Sequence, residues 1–253
     1  MKKVLITGAN KGIGLETARQ LLQAGYYVYL GSRSLENGIL AAQGLKQEGL
    51  TAVEAVQIDV TNDESVKNAH RLIGEKTEVL DVLINNAGIT GVQLSEDGSF
   101  VPQTAIDTDV EVYKAVYETN VYGVIRVTQA FLDLLQKSDE PRIVMVSSSQ
   151  GSITLHSDPN YKYYNHKGSV YLSSKSALNM YTVNLAYELR DTDFKINAVS
   201  PGFTKTDLNF NRGTGTIEDA AKRIVKYAVI GNDGVTGKFF CEETNPETGE
   251  IPW

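Results

Sequence analysis

The sequence predicts one doubly wound α/β domain, and three observations predict it. Short apolar runs alternate with helix-length segments along the whole chain. No Pro/Gly/Ser linker or low-complexity tract divides it. Its 253 residues sit at the upper end of what a single core organises. Strands separated by helices need crossover connections, and crossovers produce a parallel sheet.

Lys3 to Thr7 reads as the first strand, an apolar run buried on both sides, followed by a helix over Gly12 to Ala24. Gly25 stands just past its end, where a left-handed residue terminates a helix. Tyr27 to Leu30 is the second strand, Leu35 to Glu48 the second helix and Val53 to Ile58 the third strand. Thr61, with Glu64 three residues on, has the form of a capping box opening a helix through Gly74. Val79 to Ile84 is the fourth strand. A long helical region runs from near Asp109 to Gln136, and the fifth strand follows at Arg142 to Val146. A long helix over Val170 to Arg190, a sixth strand over Phe194 to Val199, a helix over Ile217 to Val229 and a short strand over Gly237 to Cys241 complete the chain. This order is that of a Rossmann-type nucleotide-binding domain spanning residues 1–253, with a substrate-binding lobe expected near 203–234.

Composition excludes several classes. Hydrophobic residues make up 42% and charged residues 22%, which argues against disorder. The formal net charge of -7, with acids scattered, works against a nucleic-acid surface and an anionic membrane surface. Cys241 is the only cysteine, so no internal disulfide is possible, and a reducing, cytoplasmic compartment fits. Lys2 and Lys3 precede an apolar run too short for a signal peptide, and no stretch reaches the length of a membrane span. His70, His156 and His166 are too dispersed for a metal site.

The first strand ends in Thr7-Gly8-Ala9-Asn10-Lys11-Gly12-Ile13-Gly14. Glycines there let backbone approach a pyrophosphate, while the following helix presents unpaired N–H groups and the positive end of its dipole. The spacing departs from G-x-G-x-x-G, and glycine-rich turns also arise for steric reasons alone. Position directly after the first strand favours the nucleotide. The second strand ends in Gly31-Ser32-Arg33, without the acid that would accept from a ribose 2′-hydroxyl. Arg33 is suited to a 2′-phosphate, and Lys11 to an approach from the other side. Either cation alone could be an ordinary solvated group, and Glu36, the rival acid, falls within the next helix. Together they favour NADP(H).

Tyr171 and Lys175 lie four apart on a predicted helix and share one face. A phenol is a poor acid–base group near neutrality, but an adjacent ammonium favours its ionised form. The expectation is a phenol made more acidic by Lys175. Tyr-x-x-x-Lys is common by chance, so the case rests on its company. Ser148, in Ser147-Ser148-Ser149, follows the fifth strand at the end where open sheets bind ligands; the plain alternative is a serine turn. Asn120 is a poor helix-interior residue and marks a local distortion suited to holding a water.

These features resemble the short-chain dehydrogenase/reductase family: Thr7-Gly8-x-x-x-Gly12-x-Gly14, Asp59, Asn85-Asn86-Ala87-Gly88, Asn120, Ser148, Tyr171-x-x-x-Lys175 and Pro201-Gly202, in family order from Met1 to about Thr206. The resemblance implies that Tyr171 is the acid/base and Ser148 orients a carbonyl. It implies that Lys175 lowers the tyrosine pKa and binds the nicotinamide ribose, and that Asn120 supports a relay water. It further implies that Asp59, beside Val60, contacts the adenine side, that Asn86, with Ala87 and Gly88, meets the adenosine ribose, and that Pro201, Gly202 and Thr204 cover the nicotinamide. Within the family the chain looks most like carbonyl reductases, through Asn10-Lys11-Gly12-Ile13-Gly14, Ser32-Arg33 and Gly237-Lys238-Phe239-Phe240. An insertion between Ser148 and Tyr171 carries Tyr161, Tyr163, Tyr164 and His166. It reads as a lid, as a block to oligomerisation or as a plain surface loop, so the protein is expected to be a monomer or a small homo-oligomer. Asn209 to Thr216 reads as a loop able to close over substrate.

The expected activity is reversible, NADPH-dependent reduction of a small ketone or aldehyde. Two alternatives stand beside it: an NAD-dependent epimerase or dehydratase, and a regulator that senses NADP(H) without turnover. The first usually has a longer C-terminal half, and the second tends to lack the tyrosine.

Overall fold

The computed structural model describes every residue from Met1 to Trp253. Seven strands form one sheet: β1 (Lys3–Ile6), β2 (Tyr27–Ser32), β3 (Val53–Gln57), β4 (Val82–Asn85), β5 (Arg142–Val146), β6 (Lys195–Val199) and β7 (Phe239–Phe240). Their spatial order is β3-β2-β1-β4-β5-β6-β7, and every pairing is parallel. Eight helices connect them: α1 (Gly12–Gln23), α2 (Leu35–Gln47), α3 (Asp63–Gly74), α4 (Val110–Tyr117), α5 (Gly123–Leu135), α6 (Ile153–Ser157), α7 (Ser169–Glu188) and α8 (Ile217–Ala228).

Successive strand residues serve opposite cores. Leu5, Leu83, Ile143 and Ile196 pack under α3, α5 and α7, whereas Val4, Ile6, Val82, Ile84 and Val144 pack under α1, α2 and α8. Both faces are covered, so the strands are continuous apolar runs rather than alternating ones. No helix is long and apolar enough to cross a membrane.

Four expectations are corrected. The third helix is capped by Asn62, whose Oδ1 accepts from Ser65 N–H at 2.8 Å. Thr61 is instead spent on Asp59, donating through its hydroxyl at 2.7 Å and its N–H at 3.0 Å. Val79 and Leu80 lie outside the fourth strand; the Leu80 N–H goes to Leu134 O at the end of α5, and ladder pairing begins with Asp81 N–H to Lys3 O. The expected helix from Asp109 to Gln136 is divided into α4, a π-helical turn at Glu118–Tyr122 and α5. The turn is centred on Asn120, whose amide is held from outside the helix. The last strand is also shorter than expected, and α6 within the insertion was not anticipated.

At the rim where β5 begins, the buried Arg142 guanidinium donates to the carbonyls of Ile230 (2.7 Å), Pro141 (3.0 Å) and Asp193 (3.1 Å) and to Asn232 Oδ1 (2.7 Å). This is the rim opposite the strands' C-terminal ends.

Phe131, on α5, is fully buried in the core under α3, α5 and α7. Phe131→Ala should lower unfolding free energy by about 3–5 kcal/mol in urea titration. A loss below about 1 kcal/mol would mean that this helix is not packed as described.

Candidate active site

Strand order reverses between β1 and β4, and the crevice beyond their C-terminal ends is where open α/β sheets take ligands. The glycine turn is fastened to that switch point by side chains. Thr7 Oγ1 accepts from the N–H groups of Asn86 and Ala87 at 3.0 and 3.1 Å, while Asn86 Nδ2 donates to the carbonyls of Thr7 and Gly8 at 2.8 and 3.0 Å. Gly8 and Gly12 adopt left-handed φ values of +63° and +57°. Gly14 is required for a different reason: a Cβ there would lie 2.5 Å from Asn86 Nδ2 and 2.6 Å from Gly8 O. Helix α1 starts after Lys11 with no side-chain cap, so its first N–H groups remain free for an anion. A glycine cradle ahead of an uncapped helix fits a dinucleotide pyrophosphate, and Asn10 and Ile13 flank it.

Arg33 lies exposed at the end of β2, and Glu36 lies in α2 as expected. The Arg33 carbonyl accepts from Gln57 Nε2 at 3.4 Å, while its guanidinium has no partner in the fold. The Lys11 ammonium pairs with Asp207 at 2.8 Å, a contact that no sequence motif marks. Asp207 belongs to a short 3-10 turn that brings the segment after β6 over the glycine turn. Asp59 closes its own turn with Thr61. Val60 is buried, packs against Gly123 and accepts from Arg126 Nη1 at 2.6 Å through its carbonyl.

The four expected catalytic side chains come from three segments: helix α7, the turn after β5 and the π-helical turn before α5. Tyr171 and Lys175 sit one turn apart on α7, with Nζ 5.7 Å from the phenol ring centroid. The Lys175 ammonium is buried and donates to Val146 O at 2.8 Å. Ser148 caps the 3-10 turn Ser149–Gly151, its Oγ accepting from Gln150 N–H at 3.2 Å. Asn120 is fully buried. Its Oδ1 accepts from Ile89 N–H at 2.9 Å, and its Nδ2 donates to Ile89 O at 2.9 Å and Ser174 Oγ at 3.1 Å. Ser174 in turn donates to Tyr171 O at 2.7 Å. Asn120 therefore clamps the loop after β4 to the helix that carries Tyr171. The backbone of Gly88 runs alongside: a Cβ there would lie 3.3 Å from Asn120 Oδ1 and 3.7 Å from Lys175 Nζ.

The electrostatics reverse one expectation. Burial pushes the Tyr171 phenol up to about 12, with its hydrogen bond to Ser148 acting the other way. Burial also brings Lys175 down to about 8. The expected acidifying ammonium does not dominate, because desolvation acts on both groups and the ammonium is directed at the Val146 carbonyl.

Tyr171, Ser148, Pro201, Gly202 and Thr204 line one cavity of about 470 Å³. Its wall also holds residues that no motif marks. Glu243, beyond the last strand, accepts through Oε1 from the Tyr163 hydroxyl and from Lys162 Nζ (3.0 Å), and through Oε2 from Phe203 N–H at 2.6 Å. Burial works to raise its pKa, but these donors hold it below the ordinary carboxylate range. One carboxylate thus joins the insertion to the segment after β6. The insertion is further fastened by Thr154 N–H to Trp253 O at 3.1 Å and Ser152 Oγ to Pro252 O at 2.7 Å.

A family model described as short chain dehydrogenase matches residues 2–216, and the chain belongs to that family. It is similar to (+)-neomenthol dehydrogenase of Capsicum annuum, at 34% identity over 297 residues, covering 93% of this chain and 94% of the relative. Among solved structures, salutaridine reductase from Papaver somniferum matches with a TM-score of 0.81 at 28% identity, covering 94% of this chain and 99% of the other. An NADPH-bound carbonyl reductase from chicken fatty liver matches with a TM-score of 0.80 at 27% identity, covering 100% and 99%. The fold is the Rossmann-like one of these neighbours, and the chain is an oxidoreductase of a family that works with a nicotinamide cofactor.

Lys175 makes a pH prediction. Its folded pKa of about 8 lies below the unfolded reference of about 10.4, so the unfolded chain binds the extra proton between those values. Folding is disfavoured by about 3 kcal/mol at pH 7 through this group, and stability recovers as pH rises from about 8 to about 10.4. Lys175→Met should raise stability at pH 7 by roughly 2 kcal/mol, after about 1 kcal/mol for the lost bond to Val146 O, and should flatten that alkaline rise. Urea melts at pH 7 and pH 10 check it; an unchanged slope in the variant would refute it.

Proposed function

We propose that the protein reduces a small ketone or aldehyde with NADPH, the reverse alcohol oxidation using the same groups, and that Tyr171 is the proton donor. The reading is carried by the gathering of Tyr171 and Ser148 on one cavity, with Lys175 and Asn120 packed behind them, next to the glycine turn. The bound dinucleotide supplies the hydride. Gly8, Asn10, Gly12, Ile13 and Gly14, with the free N–H groups of α1, hold its pyrophosphate. Asp59, Val60, Asn86, Ala87 and Gly88 form the adenosine side, and Pro201, Gly202 and Thr204 cover the nicotinamide. Arg33 takes the 2′-phosphate, and Lys11 contributes from the rim once released from Asp207. Two facts support NADP(H): β2 ends without an acid, and the chicken carbonyl reductase neighbour binds NADPH.

Ser148 hydrogen-bonds the substrate oxygen and holds it at the phenol. A phenol with a pKa near 12 stays protonated across the neutral range, so Tyr171 meets the carbonyl as an acid. As negative charge develops on that oxygen, the phenol proton moves to it. The ammonium of Lys175 favours the phenolate left behind and binds the nicotinamide ribose. Asn120 acts through position, keeping Ile89 and Ser174, and hence Tyr171, in register. The 203–234 stretch serves as the substrate-binding lobe.

Tyr171→Phe should lower NADPH-dependent carbonyl reduction by at least about 100-fold, with NADPH affinity changed by less than about twofold. Near-normal turnover followed at the nicotinamide absorbance would remove the phenol from the reaction. Arg33→Asp should weaken NADPH binding by about tenfold or more and NADH binding little. Equal losses for the two would place the 2′-phosphate elsewhere.

A further inference from the structure

The cavity wall carries three charged side chains, Lys167, Arg212 and Glu243. Two are already satisfied. Lys167 Nζ donates to His156 O at 2.8 Å and lies 4.1 Å from the Tyr164 ring centroid. Glu243 is held by Lys162, Tyr163 and the Phe203 N–H. Arg212 alone has no hydrogen-bond acceptor and no carboxylate partner. It is not left loose, however. Its guanidinium carbon lies 3.7 Å from the Phe100 ring centroid, and Phe100 packs edge-on against Phe210 at 5.1 Å.

The backbone that presents Arg212 is unusual. Phe210 and Asn211, immediately before it, adopt left-handed φ values of 54° and 60°, a conformation asparagine accepts readily but a bulky phenylalanine seldom does. Gly213, immediately after it, presses on the backbone of Thr204 and Lys205 with no room for a Cβ. Hydrogen bonds close the loop on itself, from Thr214 N–H to Phe203 O at 2.8 Å and from Asn209 Nδ2 to Thr204 O at 2.8 Å. A strained, closed loop therefore carries one unpaired guanidinium, stacked on an aromatic ring, to the cavity that holds Tyr171. A planar guanidinium pairs two-pronged with a carboxylate. No second unpaired cation stands on the wall to neutralise a dianionic phosphate.

We propose that Arg212 is an anion subsite of the substrate cavity, and that preferred substrates carry a carboxylate at the end remote from the reacting carbonyl. The inference rests on the reductase reading and names the substrate class for it. The same oxyanion chemistry could come from the cofactor's phosphates, so the test separates the two sources.

The test compares para-acetylbenzoate with its methyl ester, both with NADPH. The wild type should favour the acid by about tenfold in kcat/KM, and Arg212→Gln should bring that preference to about one. Arg212→Lys should recover part of it, and circular dichroism would verify that the variants are folded. The NADPH dissociation constant should move by less than about twofold. Equal use of acid and ester by the wild type, parallel losses for both in the variant, or a tenfold weakening of NADPH would each overturn the assignment. If neither compound is reduced, the reductase reading fails for this ketone class, and binding still decides the subsite. With NADP⁺ present, the acid should then raise the wild-type melting temperature more than the ester does, and Arg212→Gln should abolish the difference. No difference in the wild type would sink the proposal.

Discussion

Lys175 reaches the carbonyl of Val146 at 2.8 Å, and through this hydrogen bond helix α7 is pinned to the end of β5. The approach is close on every side. A Cβ on Gly151 would lie 2.8 Å from the Lys175 main-chain carbon, and one on Gly88 would come within 3.7 Å of its ammonium. Small residues on two loops thus let a charged side chain sit where a core residue would otherwise go. Burial makes that charge hard to keep, which is why the group titrates near 8. The phenol one turn away, half-buried at the cavity wall, is driven in the opposite direction. The two pKa values are displaced by one cause, water exclusion, acting on groups of opposite charge type.

The remaining site residues hold this arrangement in place from different distances along the chain. Asn120 grips the loop after β4 and, through Ser174, the helix backbone at Tyr171. Glu243 ties the insertion to the segment that follows β6. Asp207 reaches from that segment to Lys11 in the glycine turn. A cavity assembled from five loops is thereby joined across its mouth by three polar contacts, each between segments far apart in sequence.

That separation explains what the amino-acid pattern disclosed. The strands were legible because both faces of the sheet are covered, so Val4-Leu5-Ile6 and Ile143-Val144-Met145-Val146 are unbroken apolar runs. The glycine turn, Ser148, Tyr171 and Lys175 were legible because each stands in a short local motif. Asn120 was legible as an anomaly within a helix, although its partners Ile89 and Ser174 were not. Glu243 had no local mark at all; its role exists only once residue 163 meets it across the fold. The pairing of Lys11 with Asp207 was not legible because the two are 196 positions apart. The direction of the Tyr171 shift was missed for a related reason: i,i+4 spacing reports a neighbouring charge but not the exclusion of water. Thr61 was misjudged over a single residue, since Asp59 and Asn62 compete for the same turn.

Arg142 lends the sheet an asymmetry with mechanical meaning. Its guanidinium stitches together three chain segments at the end of β5 remote from Tyr171, where nothing needs to move. The rim that faces the cavity is instead held by contacts at loop tips, several of them exposed to solvent. A fold fastened along its spine and buttoned lightly at its mouth can admit and release molecules by local breathing, without loosening the strands that aim its reactive groups.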